Sequence, residues 1–543
     1  MSVLNIQKSS AIALGLVSHW GFFVHGERDL GAANIARFHL LGTSLLIFAK
    51  VRLESVPIQD ALRGTVTLLS LYAGTLFFSI LVFRLFWSPL NHIQGPLSLR
   101  LTKLTHVWKQ ARFRNCEVLH ELHKQYGDIV RTGPNEVTLF GTEAYYKVHG
   151  KDSECGRAAY YDLLHPMVSL DTTRDPAVHA YRRKIWDQAF SMRALERLEP
   201  LVYEKADLLV QQLRNKSQSP VNISAWLEYY TFDLMGEFGL TIKFKNLERA
   251  GPHPILTIYH MAHRRLGPFA AAPWIKHLMM GIPYIERMKY YRQFMDWAAT
   301  ELQRNIKASL SFEDRTDIIG YVLEDAKATG GVAENWNFVL GDFVLVLVAG
   351  SDPMRQVLSN MLYYLLCNPR HLQQIREELS SIHIRDYKAL QQLPHLTACI
   401  YETLRLNPAV PSSGLRQSPP EGLVVADKFI PGGTTIAVPQ YSLSRDERNF
   451  VRPNEWIPER FSTQSHLIFD KQAFVPWSTG KYACLGKNLS LIEIRVAAAL
   501  ILTEFDFEFA PGEDGQRMFS EAIDYFTTSP GPLHLVFKDR VVK

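Results

Sequence analysis

The sequence predicts a mostly α-helical protein with small β-sheets, preceded by an N-terminal membrane region. Helical periodicity of apolar residues dominates from about residue 143 onward. Only a few short stretches alternate in the manner of strands. The first 87 residues are far more apolar than the remainder, and no clear linker divides the rest. We therefore expect a membrane region at residues 1–87 and one large domain at residues 88–543.

Composition limits the class of protein. With 543 residues, of which 47% are hydrophobic, the chain can bury a large core. The formal net charge of +5 is small for this length and the basic residues form no concentrated stripe, so nucleic-acid binding is not indicated. The five cysteines are odd in number and widely spaced, which indicates reduced thiols facing the cytosol rather than a disulfide framework.

The N-terminal region carries one strong transmembrane signal. Residues Thr65 to Phe83 contain no charge and lie between Arg63 and Arg84, and their length suffices to cross a bilayer. Two shorter apolar segments, 11–24 and 38–49, are spans, interfacial helices or a hairpin. We expect one span at about residues 65–83 and up to three in total. Basic residues flank the segments on both sides, so the positive-inside rule does not settle the number of membrane spans.

Short irregular and extended segments follow the membrane region. Pro89 and Pro96 predict a stiff hinge at residues 88–96, because proline cannot continue a helix. Residues 126–140 predict two short strands around a Gly-Pro turn. Residues 412–419 and 429–438 predict a second strand, turn and strand.

One cysteine stands out by its position. Cys484 lies on a loop with two glycines, directly before an apolar stretch that predicts a buried helix. The N–H groups and the dipole at a helix start stabilise a thiolate. Gly480 and Gly486 let the backbone pass close to a flat group. This pattern suits a haem iron; a buried structural cysteine is the alternative, and zinc is disfavoured because no second cysteine lies nearby.

Three further patterns carry charged residues. His179 and Arg183 share one helix face and can bind an anion, although a solvated basic face is equally compatible. The apolar run 342–366 contains Asp352 between a glycine and a proline, which predicts a kinked helix over a cofactor or two shorter helices meeting at a turn. Glu402 and Arg405 are three apart on a predicted helix, a spacing that usually gives a surface pair.

The cysteine loop resembles the haem-ligand signature FxxGxRxCxG of cytochrome P450 monooxygenases, in particular fungal membrane-bound members. Gly480, Cys484 and Gly486 match it, whereas Trp477 replaces the phenylalanine and Tyr482 replaces the arginine. The resemblance implies that Cys484 is the axial thiolate ligand of haem b and that Trp477 covers the sulfur.

The resemblance also implies how the haem propionates are held. His179 and Arg183 match the family's WxxxR pair in its variant with histidine in the tryptophan position, and Arg416 matches a strand residue that holds a propionate. Because Tyr482 cannot replace the charge of the missing arginine, Arg183 and Arg416 become the main candidates to neutralise a haem propionate.

Two other family motifs follow in the expected order. The resemblance implies that Asp352 takes part in proton delivery, while Pro353 stands where the family has threonine. Because proline has no hydroxyl, our hypothesis is that protons arrive through Asp352, ordered water, Ser351 or the substrate itself. It further implies a buried structural triad of Glu402, Arg405 and Arg460 behind the haem.

The activity implied is that of a membrane-anchored monooxygenase. Such an enzyme uses O2 and electrons from NADPH-cytochrome P450 reductase to oxidise a hydrophobic small molecule, here in fungal secondary metabolism. Its location would be the lipid membrane of the endoplasmic reticulum, with the haem domain facing the cytosol. Basic residues near the cysteine would form a dock for the reductase: Lys481, Lys487, Arg182 and Lys184.

Two alternatives remain open from the sequence. Without the threonine, a haem-thiolate enzyme that dehydrogenates, isomerises or rearranges a ring is the second hypothesis. A non-catalytic membrane protein that binds haem is the third.

Overall fold

The structure is a computed structural model that describes residues 3–112, 114–308, 317–524 and 526–540. The N-terminal region forms three helices, α1 (Val3–Ser18), α2 (Ala32–Arg52) and α3 (Ile58–Val82). Turns of π-helix extend α1 through His19–Phe23 and α3 through Phe83–Trp87.

The body is predominantly helical, as predicted. Its helices in the described residues are α4 (Leu97–Leu101), α5 (Leu104–Gln110), α6 (Asn115–Tyr126), α7 (Thr142–His149), α8 (Pro176–Ala189), α9 (Met192–Asn215), α10 (Ile223–Leu240), α11 (Asn246–Arg249), α12 (Pro254–Leu266), α13 (Pro273–Met280), α14 (Lys289–Ala308), α15 (Ile318–Ala328), α16 (Trp336–Cys367), α17 (Pro369–Ser380), α18 (Tyr387–Gln391), α19 (Pro394–Leu406), α20 (Gln440–Leu443), α21 (Lys487–Glu504) and α22 (Gln516–Ser520).

Short strands complete the body. They are β1 (Ile129–Gly133), β2 (Glu136–Leu139), β3 (Gly156–Arg157), β4 (Pro220–Asn222), β5 (Arg416–Gln417), β6 (Leu423–Val425), β7 (Lys428–Ile430), β8 (Thr435–Ala437), β9 (Phe505–Phe509), β10 (Ile523–Asp524), β11 (Thr528–Ser529) and β12 (His534–Asp539). The largest sheet has the order β1-β2-β8-β5-β3, with β2 and β8 parallel. The predicted pairs of strands at residues 126–140 and 412–438 belong to it.

The core is built around three long and largely buried helices, α10, α16 and α21. Helix α10 crosses α16 closely at two glycines. A Cβ on Gly239 would lie 2.0 Å from the Val346 side chain, and one on Gly350 would lie 2.4 Å from Met235. Because neither site has room for a methyl group, the crossing of these helices is fixed by close packing.

Helix α16 is continuous from Trp336 to Cys367, so the alternative of two shorter helices is wrong. Pro353 lies inside it and has no N–H to donate to the carbonyl of Ala349. Packing against neighbouring helices therefore keeps α16 continuous, although one of its backbone hydrogen bonds is missing.

Three helices are long and apolar enough to cross a membrane, among the described residues. Two of them are N-terminal, α2 and α3 with its extension, and little of either is buried. The third is α16, and 61% of its apolar window is buried inside the body, which identifies it as a core helix. The two N-terminal helices can therefore anchor the chain to a membrane.

Candidate active site

Cys484 lies at the junction between a short loop and α21. Its backbone N–H donates to the carbonyl of Trp477 at 2.8 Å. The residue is accessible to solvent. Burial has the largest effect on the Cys484 thiol and raises its pKa, while the backbone N–H groups of Gly486 and Lys487 and the charge of Arg183 act in the opposite direction. The donors of the helix start therefore stabilise the thiolate, the form of cysteine that binds iron.

The two glycines of the loop have different functions. Gly480 has φ +69°, and a Cβ there would lie 2.5 Å from the carbonyl oxygen of His149, so only glycine fits. At Gly486 a Cβ would lie no closer than 3.8 Å to any neighbouring atom, and that atom is the Cys484 sulfur. The space beside the sulfur is therefore open, which suits a flat ligand.

Trp477 fixes the loop against α21. Its indole N–H donates to the Ser490 hydroxyl at 3.2 Å, and the ammonium of Lys487 lies 5.2 Å from its ring centre. The ring also packs against Tyr401. Trp477 thus holds the loop through both its ring and its carbonyl.

Tyr482 lies between two buried arginines. The guanidinium carbons of Arg157 and Arg416 are 4.3 and 4.5 Å from its ring centre. The ring of His179 contacts it edge-on, with centres 4.7 Å apart. Three donors of this cluster are buried without a hydrogen-bond partner among the described residues: Nε of Arg157, Nε of Arg416 and the Tyr482 hydroxyl.

The charges of this cluster are not balanced by the residues around it. Asp171 lies 3.6 Å from Arg157, but Arg416 forms no ion pair in the described part of the chain. Burial, together with the charges of Arg157, Arg183 and Arg416, lowers the pKa of His179 to about 4, so His179 is neutral at pH 7. Unpaired donors beside buried cations require an anion. The two carboxylates of haem b fit this requirement.

Arg183 contacts the cysteine loop directly. Its guanidinium donates to the carbonyl of Ala483 at 2.7 Å and to Asp187 at 3.1 Å. Arg183 therefore ties α8 to the cysteine loop, whereas His179 and Arg416 face Tyr482.

The sequence analysis missed Arg157. In the sheet, β3 pairs with β5 in a register that sets Arg157 opposite Arg416. The only local signal is a single basic residue among small and aromatic neighbours, which does not distinguish it from other arginines.

Replacing Arg157 with methionine is expected to weaken haem binding about tenfold. One charge-assisted hydrogen bond contributes about 1.5–3 kcal/mol, and 1.4 kcal/mol corresponds to a factor of ten. The loss of haem is measured as the ratio of bound haem to protein after the sample is diluted. Arg193→Met, at an exposed position on α9, is the matched control. Equal haem retention in Arg157→Met and Arg193→Met would contradict the assignment.

The three residues of the predicted triad are brought together. Glu402 accepts hydrogen bonds from Arg405 at 2.7 and 2.8 Å and from Arg460 at 3.0 Å. All three side chains are fully buried. The arginines also donate to backbone carbonyls, among them those of Ser444 and Arg452. The network joins α19 to the loops that precede the cysteine.

A second cysteine lies in a different environment. Cys399 on α19 is fully buried, and its sulfur lies within 4.8 Å of ring nitrogens of His371 and His395. The two histidines bond to each other at 3.0 Å. No open face is left at Cys399, so a haem could not reach it without repacking of the helices.

Asp352 and Ser351 lie in the middle of α16. The Asp352 carboxylate is buried and accepts a hydrogen bond from the Tyr259 hydroxyl at 2.8 Å. The Ser351 hydroxyl is buried without a partner among the described residues. Because successive helical residues are about 100° apart, Ser351 and Pro353 project to nearly opposite sides. Ser351 therefore lies away from the accessible face that carries Ala349 and Pro353.

Charged residues continue from Asp352 toward the surface. His260 follows Tyr259 on α12 and bonds to Glu228 at 2.6 Å, and Arg355 bonds to the same carboxylate at 2.8 Å. Burial lowers the pKa of His260, but the Glu228 carboxylate outweighs this and the pKa is raised. The His260 side chain is 37% exposed. Two bonded groups, Tyr259 with Asp352 and His260 with Glu228 and Arg355, thus lie between the surface and the centre of α16.

Aromatic residues of two segments that are distant in the sequence meet beside a small cavity. Tyr160 stacks on Phe526 with ring centres 5.6 Å apart. Both line a cavity of about 40 Å³ together with Ser412, Ser413 and Ala270. We expect the apolar and aromatic loops 158–172, 409–414 and 525–528, together with residues 345–349 of α16, to contact the substrate; residue 525 lies outside the described residues. These loops therefore converge.

One of the four residues expected in the reductase dock is misassigned. Arg182 is buried and pairs with Asp342, which also accepts from the Trp186 indole at 3.1 Å. Arg182 is thus a core residue that joins α8 to α16, and it is not available to a partner.

A loop-borne cysteine at the start of a buried helix, with buried cations on one side of that loop, has the features of a haem-thiolate site. The family model described as Cytochrome P450 matches residues 96–537. The chain belongs to the cytochrome P450 family. The predicted fold, family and haem-thiolate cofactor are thereby confirmed, and the chain is a monooxygenase of this family rather than a non-catalytic haem carrier.

Several relatives match along most of the chain. A cytochrome P450 monooxygenase, orf5, of Eupenicillium brefeldianum is 35% identical over 88% of this chain and 96% of its own length. Tryprostatin B 6-hydroxylase of Aspergillus fumigatus is 32% identical over 95% of this chain and 94% of its own length. The crystal structure of the cytochrome P450DA haem domain covers 79% of this chain and 94% of its own, with 17% identity and a TM-score of 0.66. At this low sequence identity, the structural similarity shows a shared fold alone.

Proposed function

We propose that this chain is a membrane-anchored monooxygenase that oxidises a hydrophobic small molecule of fungal secondary metabolism. It would use O2 and electrons that NADPH-cytochrome P450 reductase delivers. The single observation that carries the proposal is the Cys484 loop, with open space beside its sulfur and unpaired cationic donors around Tyr482. The relatives' names support the substrate class, since one of them hydroxylates tryprostatin B.

In this proposal the chain holds haem b by its iron and by its carboxylates. Cys484 would bind the iron as a thiolate, a form that the N–H groups of Gly486 and Lys487 stabilise against the effect of burial. Arg157 and Arg416 bind the propionates, with His179 and Tyr482 beside them. A haem bound through a thiolate supplies the activation of O2 for transfer of one oxygen atom to carbon.

Protons reach the buried site along α12. The Asp352 carboxylate, oriented by the hydrogen bond that it accepts from the Tyr259 hydroxyl, takes a proton from one ordered water and passes it to another near the free carbonyl of Ala349. Tyr259 keeps its own proton, because burial and the Asp352 charge raise its pKa. His260, which is partly exposed, exchanges protons with solvent. The Ser351 hydroxyl, predicted to take part, lies on the other side of α16 and is left as a minor candidate.

Replacing Asp352 with asparagine is expected to lower kcat about 100-fold, the effect of removing one proton donor. Pro353→Thr should leave the ratio of product to consumed NADPH little changed, because the relay proposed here does not use a hydroxyl at position 353. For each variant, the product formed and the NADPH consumed are measured in the same reaction. A large gain in this ratio for Pro353→Thr, with the same product, would show that the proline has no special function.

The second candidate function is a haem-thiolate enzyme that dehydrogenates, isomerises or rearranges its substrate. Pro353 favours it, because the position has no hydroxyl to support proton delivery. Dependence of turnover on the reductase and on O2 separates isomerisation from oxidation.

The proposal is tested by expressing the chain in fungal membranes together with a reductase. Extracted metabolites are compared with those of cells expressing Cys484→Ala. We expect a hydrophobic metabolite that gains oxygen in the first cells and accumulates unoxidised in the second. Identical extracts, in cells where the intact chain is present and binds haem, would reject the assigned pathway class.

The endoplasmic reticulum is the proposed location, with the body facing the cytosol. The apolar helices α2 and α3 would supply the anchor. The exposed ammonium groups of Lys184, Lys481 and Lys487 remain as a basic surface for an acidic reductase.

A further inference from the structure

The three N-terminal helices form an up-down-up bundle. The end of α1 lies beside the end of α3, since the His19 ring bonds to the Ser79 hydroxyl at 2.7 Å. Lys50, near the end of α2, lies 3.5 Å from the Gln7 side chain and would lie 3.5 Å from a Cβ on Gly64. Because Gln7 and Gly64 are near the starts of α1 and α3, α2 runs opposite to its neighbours.

Polar side chains between the helices join all three. Tyr72 of α3 donates to Ser18 of α1 at 3.1 Å and bonds to His39 of α2 at 3.0 Å. Such interhelical bonds hold spans together where lipid offers no alternative partner. The outer face of α2 is apolar and exposed, at Phe38, Leu40, Leu41, Leu45 and Phe48. This arrangement, polar inside and apolar outside, is that of a bundle surrounded by lipid.

The charged residues of the region fall into two layers. One layer contains Lys8, Lys50 and Arg63, and the other contains Arg37 and Arg84. Both layers are basic, so counting Lys and Arg does not orient the bundle. Contacts with the body provide the missing information.

The loop at residues 24–31, between α1 and α2, docks on the body. The Glu27 carboxylate accepts from Arg174 at 2.7 and 3.0 Å and from the Gln417 amide at 2.7 Å. Asp29 accepts from the backbone N–H of Trp274 at 3.2 Å. Arg174 also bonds to Asp162, in the segment expected to face the substrate.

The start of α2 packs equally closely against the body. A Cβ on Gly281, after α13, would lie 2.7 Å from the Ala33 side chain. At the same end, Arg84 donates to the carbonyl of Leu101 at 2.5 Å. The 24–31 loop and the exit of α3 are therefore both at the body.

Helix α1 is not among the helices long and apolar enough to span by themselves, but it packs closely on α3, where a Cβ on Gly15 would lie 2.7 Å from the carbonyl oxygen of Tyr72. We propose that α1, α2 and α3 each span the membrane, with residues 24–31 on the same side as the body and the N-terminus and residues 53–57 on the opposite side. The contact between Glu27 and Arg174 holds this bundle against the substrate-facing segment. The inference rests on the proposed membrane location.

A topology test uses N-glycosylation, which occurs only in the lumen. A flexible Gly/Ser segment with one acceptor site is inserted at the N-terminus, at Gly26 or at residue 55 of the full chain. Gly26 is exposed and has no atom within 4 Å of a Cβ, so it tolerates insertion. We expect glycosylation at the N-terminus and at residue 55, and none at Gly26. Glycosylation at all three positions would indicate that α3 alone spans and would overturn the proposal.

The ionic contact is tested by trypsin cleavage at Arg28 in sealed vesicles whose cytosolic side faces outward. Glu27→Gln and Arg174→Gln should each speed cleavage several-fold, and the double variant should be cleaved no faster than either single variant. Glu54→Gln, in the opposite loop, is the control and should cleave as wild type. Additive effects, or no change in the single variants, would overturn the contact.

Failure of the membrane location itself is distinguishable. If alkaline carbonate releases the chain from membranes while its haem spectrum is intact, the proposed location is wrong and the enzymatic assignment stands. If the chain stays in the membrane and all three positions are glycosylated, only the three-span arrangement is wrong.

Discussion

Replacing Cys484 with serine is expected to abolish oxidation of the substrate. A serine hydroxyl is not deprotonated at neutral pH, so it cannot supply the anionic bond that a thiolate gives to iron. The side chain is nearly the same size, and the space beside it is open, so the body should fold. We expect residual haem held by the propionate contacts alone, with a carbon monoxide spectrum of the ferrous form that lacks the thiolate signature.

Two control variants separate this effect from general loss of cysteine. Cys367 is exposed at the end of α16, and Cys367→Ser should retain the wild-type spectrum and activity. Cys399→Ala, in the group with His371 and His395, should also keep the thiolate signature, although it leaves a small cavity. A thiolate spectrum in Cys484→Ser would contradict the assignment of the axial ligand.

Replacing Glu402 with glutamine is expected to destabilise the folded protein by about 3–5 kcal/mol, because it leaves buried charges uncompensated. Glutamine keeps the shape of the side chain but removes the charge that balances Arg405 and Arg460. The variant should accumulate poorly and without haem. Thermal unfolding and the ratio of haem to protein measure both effects.

The matched control is Glu455→Gln. Glu455 pairs with Arg452 at 3.2 Å on the surface, where an ion pair contributes about 0–1 kcal/mol. A Glu402→Gln protein as stable and as rich in haem as Glu455→Gln would show that the buried network is dispensable.

The sequence predicts those parts of the site that follow from local spacing. Glu402 and Arg405 lie three apart on one helix, and the loop of Cys484 with its glycines is contiguous in the chain. Arg157 could not be predicted in the same way, because its position depends on the pairing of β3 with β5, more than 250 residues away. Long-range strand pairing leaves little trace in a two-residue strand.

Arg182 and Arg183 illustrate a second limit. The two residues are adjacent, but a helix turns about 100° per residue, so they face different surroundings. Arg182 enters the core and pairs with Asp342, whereas Arg183 contacts the cysteine loop. The sequence shows a cluster of basic residues, and only the orientation of α8 decides which of them is buried. Whether the apolar segment 11–24 spans the membrane could not be predicted either, because the segment is short and the sequence alone does not show which helix packs against it.

The contact between Glu27 and Arg174 has a practical consequence for anyone preparing a soluble form of this enzyme. Trimming the chain ahead of residue 88 takes away a carboxylate that belongs to the body's own charge balance, and Arg174 keeps Asp162 as its carboxylate partner among the described residues. The trimmed protein would therefore differ from the native one around Arg174, next to the loop that we expect to contact the substrate.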